Sequence, residues 1–488
     1  MPGFAGLQTN FLTWLIVAGT AAGWMLSVRL VPGWARDGWP SLLKSVYGIV
    51  WLDFGLDIVL RFLMLSYNAV EWGNGGPRLV ALRVDTVNTT LAYCGLFWML
   101  VALAYGIAVR RRGAGPLGTA RMFTLDLAYA AAVQVAMLAS VIFYLVEGHH
   151  LPLALITPLG LLAGMYMVPA AIVWWDHFRR PGPAWRIGSI QLIVLLPALV
   201  NGYCSPYREN LAPILLIPLV AALFAGRRPA LRIAIPVGLI CLFVLSSVVS
   251  SYRRIKWENV RPEEVAREFS QASFADWASG TWAEPMHRFH GFDSMLLTVA
   301  LVPALEPHSE RNVLVAPFVR GFVPRFIYSG KGGADAGINF GSRIWAFDDP
   351  VTREGSGASI APSMPGDLFD AGGVLYIALG ALLFGGLLGL VDGWKAHLPG
   401  FCGAAITVLV ATQCAMSVER DFDNSIATLI QTLLVFVLAG GLLALARRRS
   451  GDLAMEAYSS FDPNFNPGFN PSFDRQVDSK FNPTLERS

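Results

Sequence analysis

Charged side chains are scarce in this chain. Only 15% of its 488 residues are Asp, Glu, Lys or Arg, whereas 54% are hydrophobic. Soluble domains carry about 25% charged residues, so this composition is typical of a protein whose solvent is largely lipid. The net charge of +3 is also too small to indicate a nucleic-acid partner.

Cysteine and histidine are too few and too scattered to form a disulfide framework or a metal site. Four of the five cysteines lie within apolar runs, where Cys behaves as a small hydrophobe. Only Cys204 lies in a polar connection, and it has no partner nearby in the sequence. The seven histidines do not follow metal-ligand spacing. The sequence therefore predicts neither a metal nor another cofactor.

Long apolar runs dominate the rest of the chain, and they predict an all-α polytopic membrane protein with about eleven transmembrane helices. The N-terminus lacks the basic region of a cleavable signal, so we interpret the first run as a retained helix. The predicted spans are Phe11–Val31, Leu43–Leu65, Asp85–Val109, Phe123–Val146, Leu151–Trp174, Ile187–Tyr203, Leu211–Ala225, Ile233–Ser251, Gly373–Gly393, Phe401–Val418 and Ser425–Ala446.

Basic residues cluster at alternate ends of these spans, which indicates the orientation of the chain. With an odd number of spans, the positive-inside rule puts these clusters in the cytoplasm, the N-terminus outside and the C-terminus inside. In a bacterium this corresponds to a multi-pass inner-membrane protein with a periplasmic N-terminus. The clusters are Arg110–Arg112, His177–Arg180 with Arg186, Arg227 and Arg228 with Arg232, Lys395, and Arg447–Arg449.

Four regions follow from this pattern. Residues 1–251 contain spans 1 to 8, residues 252–372 form a large outer loop, and residues 373–449 contain spans 9 to 11. Within the loop, the apolar run 294–305 is too short to span a membrane and is predicted to be re-entrant or interfacial. Residues 450–488 form a tail with a repeated Phe-Asn-Pro pattern, predicted to be disordered and cytoplasmic. The tail is either a solvated segment or a docking segment for a partner.

Span 2 carries Asp53, Asp57 and Arg61 on one helical face, because their spacing is i, i+4, i+8. Asp57 and Arg61 have the order that favours an i,i+4 ion pair. Such charges usually pair inside the helix bundle, but they also occur along ion pathways. The sequence thus leaves open an internal ion pair or a transport path.

Three polar segments outside the spans carry candidate site residues, two of them for anion binding and one for proton transfer. The connection Asn201–Asn210 places Arg208 and Glu209 at the start of a helix, where backbone N–H groups and positive charge converge. In the loop, the segment His287–Asp293 contains Arg288. It also places His290 and Asp293 three residues apart, a spacing that suits a general base and the group that orients it. The segment Arg320–Gly333 combines cations with glycines that allow close backbone approach.

These segments resemble the O-antigen and related polysaccharide polymerases of the Wzy type. Phe322–Lys331, FVPRFIYSGK, is similar to the family's I-P-R-x-L-W-P-D-K-P. Arg208 and the Leu-rich span after it resemble G-S-R-x-x-L-L, and Arg288–Asp293 resembles R-x-x-x-L-D. Ser363–Gly373 is similar to P-x-G-E-x-Y-x-N-x-G, with Asp367 in place of the Glu. The resemblance covers residues 187–394, and it departs from the family at Ile327–Gly330 and Gly332.

The resemblance implies a GT-C-like, metal-independent glycosyltransferase that joins undecaprenyl-diphosphate-linked sugar chains to lipid-linked repeat units at the periplasmic face. Besides the lipid bilayer and this substrate, a chain-length regulator is a candidate partner. Arginines would stabilise the diphosphate, because a guanidinium binds phosphate oxygens bidentately. The implied catalytic residues are Arg208, Arg288, Arg325, His290 and Asp293, and the implied substrate-binding residues are Lys331, Glu209, Arg320 and Tyr328. For the general base, His290 ranks before Asp293 and Glu209.

Two other functions remain open at this point. An O-antigen ligase would transfer finished chains to the lipid A core with the same chemistry. A transporter would use Asp53, Asp57 and Arg61, but it predicts inverted repeats, and the sequence has no convincing internal repeat.

Overall fold

The computed structural model describes residues 7, 9–67, 83–111, 167–179, 212–227, 291–309, 311–323, 362–396, 400–414, 421–434 and 436–437, with the isolated residues 261, 263–264, 267 and 340. The described regular elements are all helical, so the all-α prediction is confirmed for this part of the chain. In chain order the α-helices are α1 Phe11–Ser27, α2 Trp34–Asp37, α3 Trp39–Lys44, α4 Val46–Phe54, α5 Arg61–Ser66, α6 Val84–Arg111, α7 Met167–Arg179, α8 Ala212–Phe224, α9 Gly291–Leu301, α10 Ala316–Phe322, α11 Met364–Lys395, α12 Gly400–Cys414 and α13, residues 422–434.

Three of these helical stretches are long and apolar enough to cross a membrane: Phe11–Leu30, Val84–Arg110 and Met364–Lys395. The first consists of α1 and a short 3₁₀ turn, Val28–Leu30. α1 is well capped, because the Asn10 side chain accepts a hydrogen bond from Thr13 N at 2.8 Å and Thr13 Oγ1 accepts one from Asn10 N. Phe11, Leu15 and Leu26 on α1 are exposed, as expected of a helix that faces lipid.

Glycines allow α6 and α11 to pack closely. A Cβ on Gly385 would lie 2.2 Å from the carbonyl oxygen of Val101, and one on Gly389 would lie 2.6 Å from the Cβ of Ala108. The two glycines are four residues apart and therefore occupy one face of α11. Small residues at this spacing let the backbones of membrane helices approach each other. This contact forms the centre of the described bundle.

Asp392, near the end of α11, binds the beginning of α4. Its carboxylate accepts hydrogen bonds from Val46 N at 3.0 Å and from the Tyr105 hydroxyl at 3.0 Å. Lys395 Nζ lies 2.6 Å from the same carboxylate and also donates to the carbonyl of Lys44. A negative charge at a helix N-terminus is stabilised by unpaired N–H groups and the helix dipole. The contact fixes α4 against α6 and α11 at this end of the bundle.

α4 continues through a π-helical turn, Gly55–Leu60, into α5. This turn lies against α1, since a Cβ on Gly55 would be 2.2 Å from the Trp24 ring. Trp24 and Trp51 stack with ring centroids 4.3 Å apart, and each indole N–H donates to the other's backbone carbonyl. π-helical turns widen a helix locally and occur frequently at functional sites. This one carries Asp57 at its centre.

α9 is a short apolar helix, and all of its first eight residues, Gly291 to Thr298, are buried. It packs against the π-helical turn, α6 and α11. Its range overlaps the run 294–305 that was predicted to turn back toward the membrane. The structure begins the helix three residues earlier, at Gly291, and ends it at Leu301.

Candidate functional site

A buried ion pair joins α5 to α9. Arg61 donates from Nε to Asp293 Oδ1 at 3.0 Å and from Nη2 to Asp293 Oδ2 at 2.6 Å. Both side chains are completely buried. The sequence suggested Asp57 as the partner of Arg61 and His290 as the partner of Asp293. In the structure, both oxygens of Asp293 accept hydrogen bonds from Arg61, so this carboxylate fixes the start of α9 to α5. The predicted partner His290 lies outside the described residues.

Asp57 holds the first residue of α9. Its Oδ1 accepts a hydrogen bond from Gly291 N at 3.0 Å, and the side chain is fully buried. Its Oδ2 has no hydrogen-bond partner among the described residues. Asp57 also lies within electrostatic range of Arg61 and Asp293. The three charged side chains therefore form one buried group around the start of α9.

Gly291 is required by this arrangement, and the Gly291→Ala variant is expected to be destabilised by about 1–3 kcal/mol, as for an overpacked core. An added Cβ would lie 1.8 Å from Asp57 Oδ2 and 2.7 Å from its Cγ. The thermal unfolding midpoint in detergent measures the effect. Gly386→Ala is a matched control, because a Cβ on Gly386 meets nothing within 4 Å. Equal midpoints for the two variants would contradict the close contact with Asp57.

α11 is broken near its beginning. Gly372 and Gly373 are non-helical, and Gly373 has φ +69°. The first segment runs from Met364 to Ala371. Ser363 caps its N-terminus, because the Ser363 hydroxyl accepts a hydrogen bond from Gly366 N at 3.3 Å. The break falls where span 9 was predicted to begin, at Gly373. The segment of the chain that resembles the polymerase motif therefore forms a short buried helix of its own before the long apolar part of α11.

Arg311 binds this short helix. Its guanidinium contacts the Asp367 carboxylate directly and lies 3.5 Å from Asp370 Oδ2, and its Nε donates to Ser309 Oγ at 3.2 Å. The second oxygen of Asp367 accepts a hydrogen bond from Phe422 N at 2.9 Å. Burial lowers the pKa of Arg311, but the charge of Asp367 and the hydrogen bond to it outweigh burial and raise the pKa. Arg311 is thus held as a structural cation between two acidic side chains.

Arg320 at the end of α10 pairs with Asp423 at the start of α13. The backbone carbonyl of Arg320 also accepts a hydrogen bond from Gln431 Nε2 at 2.9 Å. Burial raises the pKa of Asp423 to about 6, although Arg320 opposes this shift. Asp423 Oδ1 is buried and has no hydrogen-bond partner among the described residues. Phe422, the neighbour of Asp423, connects this pair to Asp367.

We call the residues around these contacts the acidic cluster: Arg311, Arg320, Asp367, Asp370, Asp421 and Asp423. Two arginines and four aspartates give it a formal charge of −2. Both guanidiniums already bind carboxylates within it. A diphosphate would be repelled by this excess negative charge. The acidic cluster is therefore better suited to neutral polar groups, such as sugar hydroxyls, than to phosphate.

His308 lies beside the acidic cluster, at the break in α11. Its Nδ1 is 3.0 Å from the backbone oxygen of Phe369 and 3.3 Å from that of Asp370. The ring is half-buried and meets the Phe369 ring edge-on, with centroids 5.8 Å apart. Sequence patterns did not single out His308, because its partners are backbone carbonyls about 60 residues away. In the sequence, only the adjacent glycines 372 and 373 indicate a helix break, which would leave the last carbonyl groups before it without a partner in the helix.

Two of the nine residues predicted for the site lie in the described part of the chain. Asp293 is bound to Arg61, and Arg320 is bound to Asp423, so they take part in separate contacts. Of the charges predicted in span 2, Asp53 is buried in α4. The residues outside the described part are Arg208, Glu209, Arg288, His290, Arg325, Tyr328 and Lys331.

Within the described ranges, no group of three or more His, Cys, Asp or Glu side chains is placed to hold a metal ion. Comparisons of the chain with protein-family models, with curated proteins and with solved structures gave no match.

Proposed function

We propose that this chain is a membrane-embedded polysaccharide polymerase that transfers undecaprenyl-diphosphate-linked sugar chains onto lipid-linked repeat units. One observation carries the proposal: segments of the polymerase resemblance that are far apart in sequence are adjacent in the fold. A Cβ on Gly366 would lie 3.5 Å from Thr298 Oγ1 and 3.7 Å from Met295 Cα, so the helix of Asp293 touches the helix of Asp367. This proximity is what a shared site built from both motifs requires.

We also propose the number of membrane spans and their orientation. Eleven spans would place the N-terminus in the periplasm and the C-terminus in the cytoplasm, in a GT-C-like arrangement in the inner membrane. The described ends of α11 support this orientation. Lys395 and Lys44 meet at one end, as expected of the cytoplasmic side, while the acidic cluster and His308 lie near the other end. The proposed site would then face the periplasm beside loop 252–372.

The diphosphate and the sugars would be bound by different residues. Because Arg311 and Arg320 are engaged by carboxylates, the leaving diphosphate is assigned to Arg208, Arg288 and Arg325, with Lys331 as an auxiliary cation. Glu209 and Tyr328 would contact sugars, and His290 retains its proposed place as a candidate base. Asp293 would act indirectly, by fixing the helix that follows Arg288. The buried Arg61–Asp293 pair supports this positioning role.

Deletion of the gene from its host tests the proposed function. A polymerase deletion is expected to leave lipid-linked material that carries single repeat units, because chain growth stops while transfer of the first unit continues. Gel analysis of the lipopolysaccharide and of secreted polysaccharide, with complementation by the wild-type gene, measures this. Bare core without any repeat would indicate a ligase instead, and an unchanged polysaccharide profile would contradict both glycosyltransferases.

A further inference from the structure

The backbone around His308 fixes the tautomer of its ring. Both groups near Nδ1 are carbonyl oxygens, of Phe369 and Asp370, and a carbonyl can only accept a hydrogen bond. Nδ1 must therefore carry the hydrogen. In the neutral ring the other nitrogen, Nε2, then has a free lone pair. None of the described residues forms a hydrogen bond with Nε2.

The break in α11 explains why these carbonyls are available. The last carbonyls of a helix have no partner within the helix. The first segment of α11 ends at Gly372 and Gly373, and its final carbonyls are bound by His308 Nδ1 and by Ser309, whose N donates to Asp370 O at 2.8 Å. His308 is thus held by the backbone on one edge, while no described residue is hydrogen-bonded to the other edge.

This other edge of the ring, which carries Nε2, faces Gly373. A Cβ on Gly373 would lie 3.6 Å from His308 Cε1 and 3.8 Å from Nε2. Gly373 has φ +69°, a conformation that favours glycine. A side chain longer than a methyl group at this position would cover Nε2. The glycine therefore permits both the break in the helix and access to the ring nitrogen.

We propose that His308 Nε2, in place of the candidate His290, is the proton acceptor for the attacking sugar hydroxyl, in a hydroxyl-binding site between Gly373 and the acidic cluster; this rests on the proposed function. The hydroxyl oxygen forms a bond to the anomeric carbon of the growing chain. The bond from that carbon to the diphosphate oxygen breaks, and undecaprenyl diphosphate leaves with the electron pair. The hydroxyl proton passes to Nε2 and from there to water. A positioned histidine is the commonest group for such a transfer.

The His308→Asn variant distinguishes two roles of His308, as a general base and as a cap for the first segment of α11. The Asn amide nitrogen can take the place of Nδ1–H and still donate to the Phe369 carbonyl, but the variant has no group at the position of Nε2. Expressed in the deletion strain, it is expected to reach wild-type protein levels and a wild-type unfolding midpoint. Polymer formed per protein molecule should fall by about a hundredfold or more, the usual contribution of a general base. Gly386→Ala, whose added Cβ meets nothing within 4 Å, is the control and should keep nearly full activity.

Chemical rescue provides the second measurement. Washed membranes that contain the His308→Gly variant and endogenous lipid-linked repeats are expected to regain chain growth when imidazole is added, because free imidazole can occupy the vacated space. Rates are counted per molecule of protein present, so a low level of the variant does not obscure the result.

Wild-type polymer yield from His308→Asn, or no response of His308→Gly to imidazole, would overturn the role of His308. If wild-type membranes themselves form no long chains in this assay, the proposed function fails, which is a distinct result.

Discussion

The Arg61→Met variant is expected to lose about 3–5 kcal/mol in free energy of unfolding, because it leaves a buried carboxylate without its counter-ion. Both oxygens of Asp293 receive hydrogen bonds from Arg61, and neither side chain is exposed. The unpaired charge would remain at the start of α9, where the Asp57 carboxylate is also buried. The midpoint of unfolding in detergent and the amount of protein in membranes both measure the loss.

A double-mutant cycle tests whether the loss comes from the pair. Asp293→Leu alone should be similarly damaging, since it leaves a buried guanidinium. The double variant Arg61→Met/Asp293→Leu should recover much of the stability, because apolar residues of similar volume often replace a buried ion pair at little cost. If the double variant is as unstable as the two single losses added together, the pair is not coupled.

A surface ion pair provides the control for this cycle. Arg36 Nη2 lies 3.2 Å from Asp37 Oδ2, and the Arg36 side chain is 84% exposed. Arg36→Met should change the free energy of unfolding by only about 0–1 kcal/mol, because solvent screens exposed pairs. A large loss at Arg36 would show that detergent stability responds to any arginine replacement.

Within the described ranges, the long helices could largely be predicted from the sequence, because a membrane demands continuous apolar runs. The predicted spans Phe123–Val146, Ile187–Tyr203 and Ile233–Ser251 lie outside the described residues. Val84–Arg111, for example, differs from the predicted span by only one residue at the start and two at the end. The π-helical turn Gly55–Leu60 could not be predicted in this way, since it changes hydrogen bonding without interrupting hydrophobicity. The beginning of α11 was also missed, because Met364–Ala371 is polar enough to resemble a loop.

The partners of charged residues were the hardest to predict. Spacing along a helix indicated Asp57 for Arg61, but the structure joins Arg61 to Asp293, 232 residues away. No local rule connects such distant residues, and the packing of α9 against the π-helical turn that precedes α5 brings them together. The resemblance covered both the segment of Asp293 and the segment of Asp367, which is similar to the family's entry into the next span. It could not show that Arg311 and Arg61 would neutralise these two carboxylates.

The same limit applies to His308. Its spacing from other titratable residues carries no signal, and its chemistry depends on two backbone carbonyls. These are exposed by glycines at 372 and 373, which the sequence displays without indicating what would bind there. The role proposed for His308 follows from the direction of its hydrogen bonds. That direction depends on which backbone groups lie beside the ring, and the sequence around His308 does not indicate them.

The second large effect is expected at Arg325. The Arg325→Ala variant should abolish long polysaccharide while single lipid-linked repeat units persist. Under the proposed function, this guanidinium stabilises the charge that develops on the diphosphate. Hydrogen bonds to charged groups contribute about 1.5–3 kcal/mol each, which corresponds to roughly a ten- to hundredfold loss in rate for each bond. Because every added repeat unit needs one transfer, such a loss removes long chains first.

Arg325→Lys refines this test. Lysine keeps the charge but lacks the planar fork that binds two phosphate oxygens, so chains of intermediate length are expected. Arg36→Ala is the matched control, since it removes an exposed arginine outside loop 252–372 and should leave chain length unchanged. Long chains from Arg325→Ala at a normal protein level would show that loop 252–372 does not act through this residue. In that case the diphosphate would have to be stabilised by Arg208 and Arg288 alone, and the acidic cluster would still exclude Arg311 and Arg320 from that role.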